Sequence, residues 1–208
     1  MQMMAGGAIG GGITSAIARA KGSKNSRSAQ IIAFNGLLIG AFVSLIYTVI
    51  LGFFPYEVFG LLSDSKEVID GAIKYAEIGF GGAILTWLFF VLSSIIRGFG
   101  DTYAPAKAII IAGFFQIILS GLFTSGFGGI LDLGVAGPAA AMITCHALAA
   151  LFLIRKIIVS NSILRFHTCF IDWNSISNIL RVGGLGLINS ITIALNVVII
   201  TGFVSEFG

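Results

Sequence analysis

The stretch AIIIAGFFQIILSGLFTSGFGGIL, Ala108–Leu131, runs for 24 residues without Asp, Glu, Lys or Arg. About 20 apolar residues in a helix cross the roughly 30 Å hydrocarbon layer of a bilayer. Lipid offers the backbone no hydrogen-bonding partners, so only a helix or a closed β-barrel can cross it. The polar/apolar alternation of a barrel strand is absent from this run. It reads as a membrane-spanning helix.

Five further stretches read the same way: Met1–Ala18, Ile31–Phe54, Ile78–Ile96, Leu133–Ile154 and Val182–Val204. The expected fold is therefore an all-α integral membrane protein of about six transmembrane helices. Composition agrees, with 57% hydrophobic and only 10% charged residues among 208. That is too little charge to cover a soluble domain of this length. A signal peptide at Met1–Ala18 would carry its bases before the apolar run, whereas Arg19, Lys21, Lys24 and Arg27 follow it.

The connections carry their charge unevenly. Ten Lys and Arg fall in the first, third and fifth connections, and only Lys66 and Lys74 in the others. Bases next to spans mark the cytoplasmic side. The chain is thus expected to be multi-pass in the cell membrane, with the start of the first span and the end of the last outside. The same reasoning makes the net charge of +3 a topology signal beside lipid, and no nucleic-acid partner is expected.

Local signals refine the connections. Pro55 closes the second span. Asp64 followed by Glu67 predicts a capped start for the helix that becomes the third span. Trp173, Ile176 and Leu180 predict a short amphipathic approach to the sixth, with Trp173 at the headgroups or simply packed in a loop. Gly6/Gly10, Gly7/Gly11, Gly36/Gly40 and Ala139–Ala141 have helix-contact spacing. The first span, poor in large side chains, is expected inside a bundle.

The six spans contain no Asp, Glu, Lys or Arg. Ionisable groups in membranes usually carry ion coupling, and here the candidate is His146, which reads either as proton-linked or as a hydrogen-bonded packing residue. Neutral polar side chains form two stripes, Gln116/Ser120 with Thr124, and Asn189/Thr192/Asn196. Gln116, Ser120, Asn189 and Asn196 are the candidate cavity-lining residues; interhelical hydrogen bonding is the alternative reading. Cys145 and Cys169 have no metal or redox spacing. The Gly6–Gly12 cluster and Gly98-Phe99-Gly100-Asp101 lack the Lys-Ser/Thr of a phosphate loop. No catalytic residues, cofactor or metal site are expected, and the chain does not read as an enzyme.

Four motifs together resemble the multidrug and toxic compound extrusion (MATE) family. Ile13-Thr14-Ser15-Ala16-Ile17-Ala18-Arg19-Ala20 resembles the end of that family's second helix. Arg97-Gly98-Phe99-Gly100-Asp101-Thr102 with Pro105 resembles the turn after its fourth. Leu133-Gly134-Val135-Ala136-Gly137-Pro138-Ala139-Ala140 resembles the opening of its sixth, and Leu180-Arg181-Val182-Gly183 the approach to its seventh. The resemblance implies two six-helix lobes that export cationic or amphipathic small molecules by alternating access, in exchange for Na+ or H+. This chain would supply five helices of the N-terminal lobe (1–154), an inter-lobe linker (155–181) and the first helix of the C-terminal lobe (182–208). A gene fragment is then expected, with the missing second lobe and membrane lipid as partners.

The sequence departs from the family pattern in places. Many members carry Asn and Asp in the fifth helix, where this chain reads Gln116-Ile117-Ile118-Leu119-Ser120-Gly121. The Gly-Leu-Pro at the seventh is Gly184-Leu185-Gly186 here. Two other functions remain open: a flippase for lipid-linked oligosaccharides, which would need cations in its cavity, and a non-transporting membrane module.

Overall fold

The computed structural model describes residues 2–60, 65–126, 132–159 and 170–205. All regular structure among them is helical. The helices are α1 (Gln2–Gly22), α2 (Ser26–Phe53), α3 (Pro55–Gly60), α4 (Lys66–Gly81), α5 (Ala83–Gly98), α6 (Tyr103–Ser125), α7 (Gly137–Val159) and α8 (Trp173–Ser205), with a 3-10 turn at Gly134–Ala136 before α7.

Among the described residues, three helices are long and apolar enough to cross a membrane: α2 over Ser26–Ile50, α6, and α7 with its leading turn over Gly134–Val159. The third predicted span is broken. Instead of running through Ile78–Ile96, the helix stops at Gly81 and restarts at Ala83, and α4 and α5 meet at 51°. The pair counts as a fourth span when taken together. The bend has a local cause, the Gly81-Gly82 pair. A methyl at Gly82 would lie 2.7 Å from the Ile143 side chain, so α7 packs directly against the bare backbone there.

Many large apolar side chains point outward, among them Phe114, Ile110 and Ile117, the last 77% exposed. Such a surface is intolerable in water and ordinary in lipid. The interior is assembled mostly from α1, α2, α5 and α7, with Ile13, Ile17, Trp87, Ile95, Ile96 and Leu153 buried. α1, the first predicted span, is not among the helices long and apolar enough to cross by themselves; it packs against α2, α5 and α8 and leaves Gly7 and Gly11 exposed.

Because lipid does not drive helices together, close packing must. One such crossing joins α1 to α8. A methyl on Gly12 would fall 2.5 Å from the carbonyl oxygen of Ile179, and one on Gly183 would fall 3.1 Å from the Cα of Ile9. Here the two backbones touch without side chains between them.

Cap details differ from the sequence reading. Ser65 occupies the N-cap position of α4, while Asp64 lies outside the described residues. Pro55 follows the end of α2 and opens α3, where its missing N–H costs nothing. Trp173 is exposed, and it begins α8 itself rather than a separate short helix. Of the stretch 155–181, the described part holds the last turn of α7 and the first turns of α8; Cys169 lies outside it.

Candidate functional site

The described parts of the three basic connections meet at one end of the bundle, each held by a specific bond. The Arg97–Thr102 turn is the centre of this end, and its sequence has a physical reason at nearly every position. Gly98 lets α5 approach α1, since a methyl there would meet the Ile17 Cβ at 2.7 Å. Gly100 takes φ +93°, a left-handed conformation that favours glycine. Asp101 accepts a 3.0 Å hydrogen bond from the Ala104 N–H at the start of α6.

Basic residues from two other helices reach this turn. Lys21, at the end of α1, donates to the Phe99 carbonyl. Lys156, near the end of α7, pairs with Asp101 at 3.0 Å. The Ala104 hydrogen bond, and then Lys156, hold the Asp101 carboxyl below the usual carboxylate range. Arg97 donates to the Ser94 hydroxyl at 3.1 Å.

A second tie joins α2 to the approach to α8. Asn35 is wholly buried in α2. Its amide donates to the carbonyls of Ile31 (2.8 Å) and Phe170 (3.1 Å) and accepts from the Asp172 N–H at 3.1 Å. Asp172 in turn caps α8, accepting from the Ser175 hydroxyl at 2.5 Å and the Ser175 N–H at 3.1 Å. The Ser175 hydroxyl is the main reason that this carboxyl is also lowered. Beside it a polar cleft of about 350 Å³ opens between α1, α2 and α8, walled by Arg19, Ser23, Ser28, Asp172 and Asn178.

The candidate residues named from sequence fall on separate helix pairs. Gln116 and Ser120 are half-buried on α6, which packs along α7. Asn189 and Asn196 are exposed on α8, which packs along α1. Thr124 and Thr192 turn their hydroxyls back onto Ser120 and Ile188 of their own helices. Between α6 and α7 lies an apolar groove of about 230 Å³ lined by Ile111, Phe115, Cys145 and Phe152.

His146 is buried on α7. Its Nδ1 lies 3.3 Å from the Thr86 hydroxyl of α5, and its ring stacks on Phe89 at 5.1 Å. Chemically this is a hydrogen bond between helices in an aromatic setting. Similar single bonds cross elsewhere, from Thr14 to the Ser94 carbonyl at 2.9 Å and from Thr48 to the Phe80 carbonyl at 2.8 Å. Among the described residues no group of three or more His, Cys, Asp or Glu gathers in a metal-binding arrangement.

Asn35 lies outside the two polar stripes that the sequence singles out, though an Asn inside the apolar run Ile31–Phe54 is itself a signal. An amide at that depth needs partners.

The bundle of apolar-surfaced helices, its basic ends gathered on one side, defines a multi-pass membrane protein. The MatE family profile matches residues 1–122, more than half of the chain, which therefore belongs to that family. Among curated relatives, the "Probable multidrug resistance protein YoeA" of Bacillus subtilis is 25% identical over 205 residues, covering 96% of this chain and 44% of the relative. The "Probable multidrug resistance protein NorM" of Thermotoga maritima is 28% identical over 180 residues, covering 83% and 37% respectively. The chain thus spans less than half the length of either. An inward-facing multidrug resistance MATE transporter of the MOP superfamily superposes with a TM-score of 0.81 at 24% identity, over 88% of this chain and 41% of that one. That likeness shows the fold.

Proposed function

We propose that this chain forms part of an efflux antiporter that moves small amphipathic or cationic organic molecules by alternating access, in exchange for Na+ or H+. The observation that carries the reading is the α1–α8 seam, where Gly12 meets Ile179 backbone to backbone, in a chain of the MatE family. Transporters built of repeated lobes bind near the midplane between them and open by rocking one against the other. α8 follows the connection assigned as the inter-lobe linker and packs back onto α1, so the seam is the place where the lobes would part. In this reading the transport unit has further helices, which is supported by the length of relatives that bear multidrug-resistance names, more than twice that of the matched region.

In this reading the basic end faces the cytoplasm, Gln116, Ser120, Asn189 and Asn196 line the path of the substrate, and His146 is the candidate proton carrier. Two measurements test it. Cells lacking their own efflux pumps should lose ethidium faster when they carry this reading frame with its flanking sequence, and the loss should depend on a Na+ or H+ gradient. Efflux equal to that of empty cells under both gradients overturns the reading. Single cysteines at the four polar positions should react with a membrane-impermeant maleimide from water; uniform resistance, with labelling only by lipid-soluble reagents, removes the site assignment.

A further inference from the structure

A third cavity, of about 320 Å³, lies between α1, α5 and α6 at the basic end. Its volume is within the range of small-molecule sites. Its walls divide by chemistry. Gly7, Phe90, Pro105 and Ile109 make an apolar body, while Ser93, Arg97 and Thr102 supply polar groups.

Two features of the walls leave a polar group and a space without an occupant from the chain itself. Ser93 is only 4% exposed, and its hydroxyl has no hydrogen-bonding partner. The adjacent Ser94 behaves differently, donating to the Phe90 carbonyl at 2.8 Å. Buried hydroxyls are normally satisfied, so one left over on a cavity wall asks for a partner. The second observation is Gly7, where an added methyl would meet nothing within 4 Å. On the opposite, buried face of α1 the glycines are filled by neighbours, Gly6 by Phe90 and Gly10 by Ser94, while Gly11, one turn on from Gly7, is open as Gly7 is.

The sign of the ligand follows from the donors. The guanidinium of Arg97 carries five N–H groups, of which one hydrogen bond, to Ser94, is described. The neighbouring carboxylate, Asp101, is engaged by Lys156 and by the Ala104 N–H. Donors and positive charge are therefore in surplus where the turn meets the cavity. An arginine beside a hydroxyl suits a phosphate or carboxylate, which accepts from both.

We infer that this cavity binds an anionic amphipath: the phosphate or carboxylate head on Arg97 and the Ser93 hydroxyl, the apolar body against Phe90, Ile109 and the open face of Gly7. Two sources share this chemistry, a soluble anionic amphipath and an anionic membrane lipid. The site stands whether or not the chain transports.

The test uses the full chain in phosphatidylcholine nanodiscs, with decyl phosphate titrated calorimetrically and decyltrimethylammonium as the cationic counterpart. Decyl phosphate should bind saturably and the cation should not. R97Q should weaken binding about tenfold and R97K much less, since most of the loss is of charge-assisted donors. G7L should abolish binding by filling the apolar body, whereas G113L, at another open glycine on the exposed face of α6, should leave it unchanged. S93A should weaken binding a few-fold. Repeating the titration in discs that contain phosphatidylglycerol separates the sources. Loss of the decyl phosphate isotherm identifies a lipid occupant, and its persistence a soluble one. Equal binding of the two decyl compounds, or wild-type affinity in either R97Q or G7L, overturns the inference.

Discussion

The buried amide of Asn35 holds the backbone N–H of Asp172 at 3.1 Å, across 137 positions of sequence. Through that one contact, with the Phe170 carbonyl beside it, α2 fixes the point at which the chain turns into α8. Asn35→Leu would leave both backbone groups without their partner. The expected loss is about 1–3 kcal/mol of stability, read as a lower thermal midpoint in detergent. Faster hydrogen exchange at Asp172 should accompany it, and unchanged exchange there would contradict the assigned role.

Glycines on α1 should divide sharply by face. Gly12→Val places a side chain against the Ile179 carbonyl, 2.5 Å from the first added carbon, and should cost about 1–3 kcal/mol through overpacking. Gly11→Ala meets nothing and should gain up to about 1 kcal/mol in helix propensity. Thermal midpoints of the two variants, compared with the parent, check the contrast.

The bend between α4 and α5 predicts a compensating pair. Gly82→Ala should destabilise by about 1 kcal/mol, because its methyl meets Ile143 at 2.7 Å. Trimming the neighbour with Ile143→Ala should restore part of that loss. A double-mutant cycle measures the coupling, and simple additivity of the two changes would show that Ile143 is not the obstacle.

Acid should loosen the basic end. The Asp101 carboxyl is lowered by its bond from the Ala104 N–H and then by Lys156, so it binds its proton less readily folded than unfolded. Its contribution is complete above the unfolded value near pH 4 and disappears as pH falls through the lower folded value. The ion pair is partly exposed, so the effect is no more than about 1 kcal/mol. Asp101→Asn should flatten the thermal midpoint against pH in this acid range, and Lys156→Met should flatten it partly.

The sequence was informative wherever the controlling physics is local. Absent charges marked the apolar helices, Pro55 marked the end of α2, and the bases marked the end at which Lys21, Asp101 and Lys156 meet. It was silent where the cause is a distant neighbour. The Gly81-Gly82 pair that breaks the third span stands in the sequence, but nothing near it announces that Ile143 will press against Gly82. Likewise the spacing of Gln116 and Ser120 shows that they share a helix face, but not which helix that face meets. Only packing settles that α6 lies along α7 while Asn189 and Asn196 ride on the helix beside α1. Ser93 shows the same limit, because an unsatisfied hydroxyl is a property of its surroundings.

Where Gly12 touches Ile179, no rotamer stands between the two rods, and so none can swing aside to admit a thin file of water. Separation at that crossing has to be a displacement of one whole rod from the other. Cold, viscous or stiffened lipid should therefore slow it far more than any change at a single side chain would.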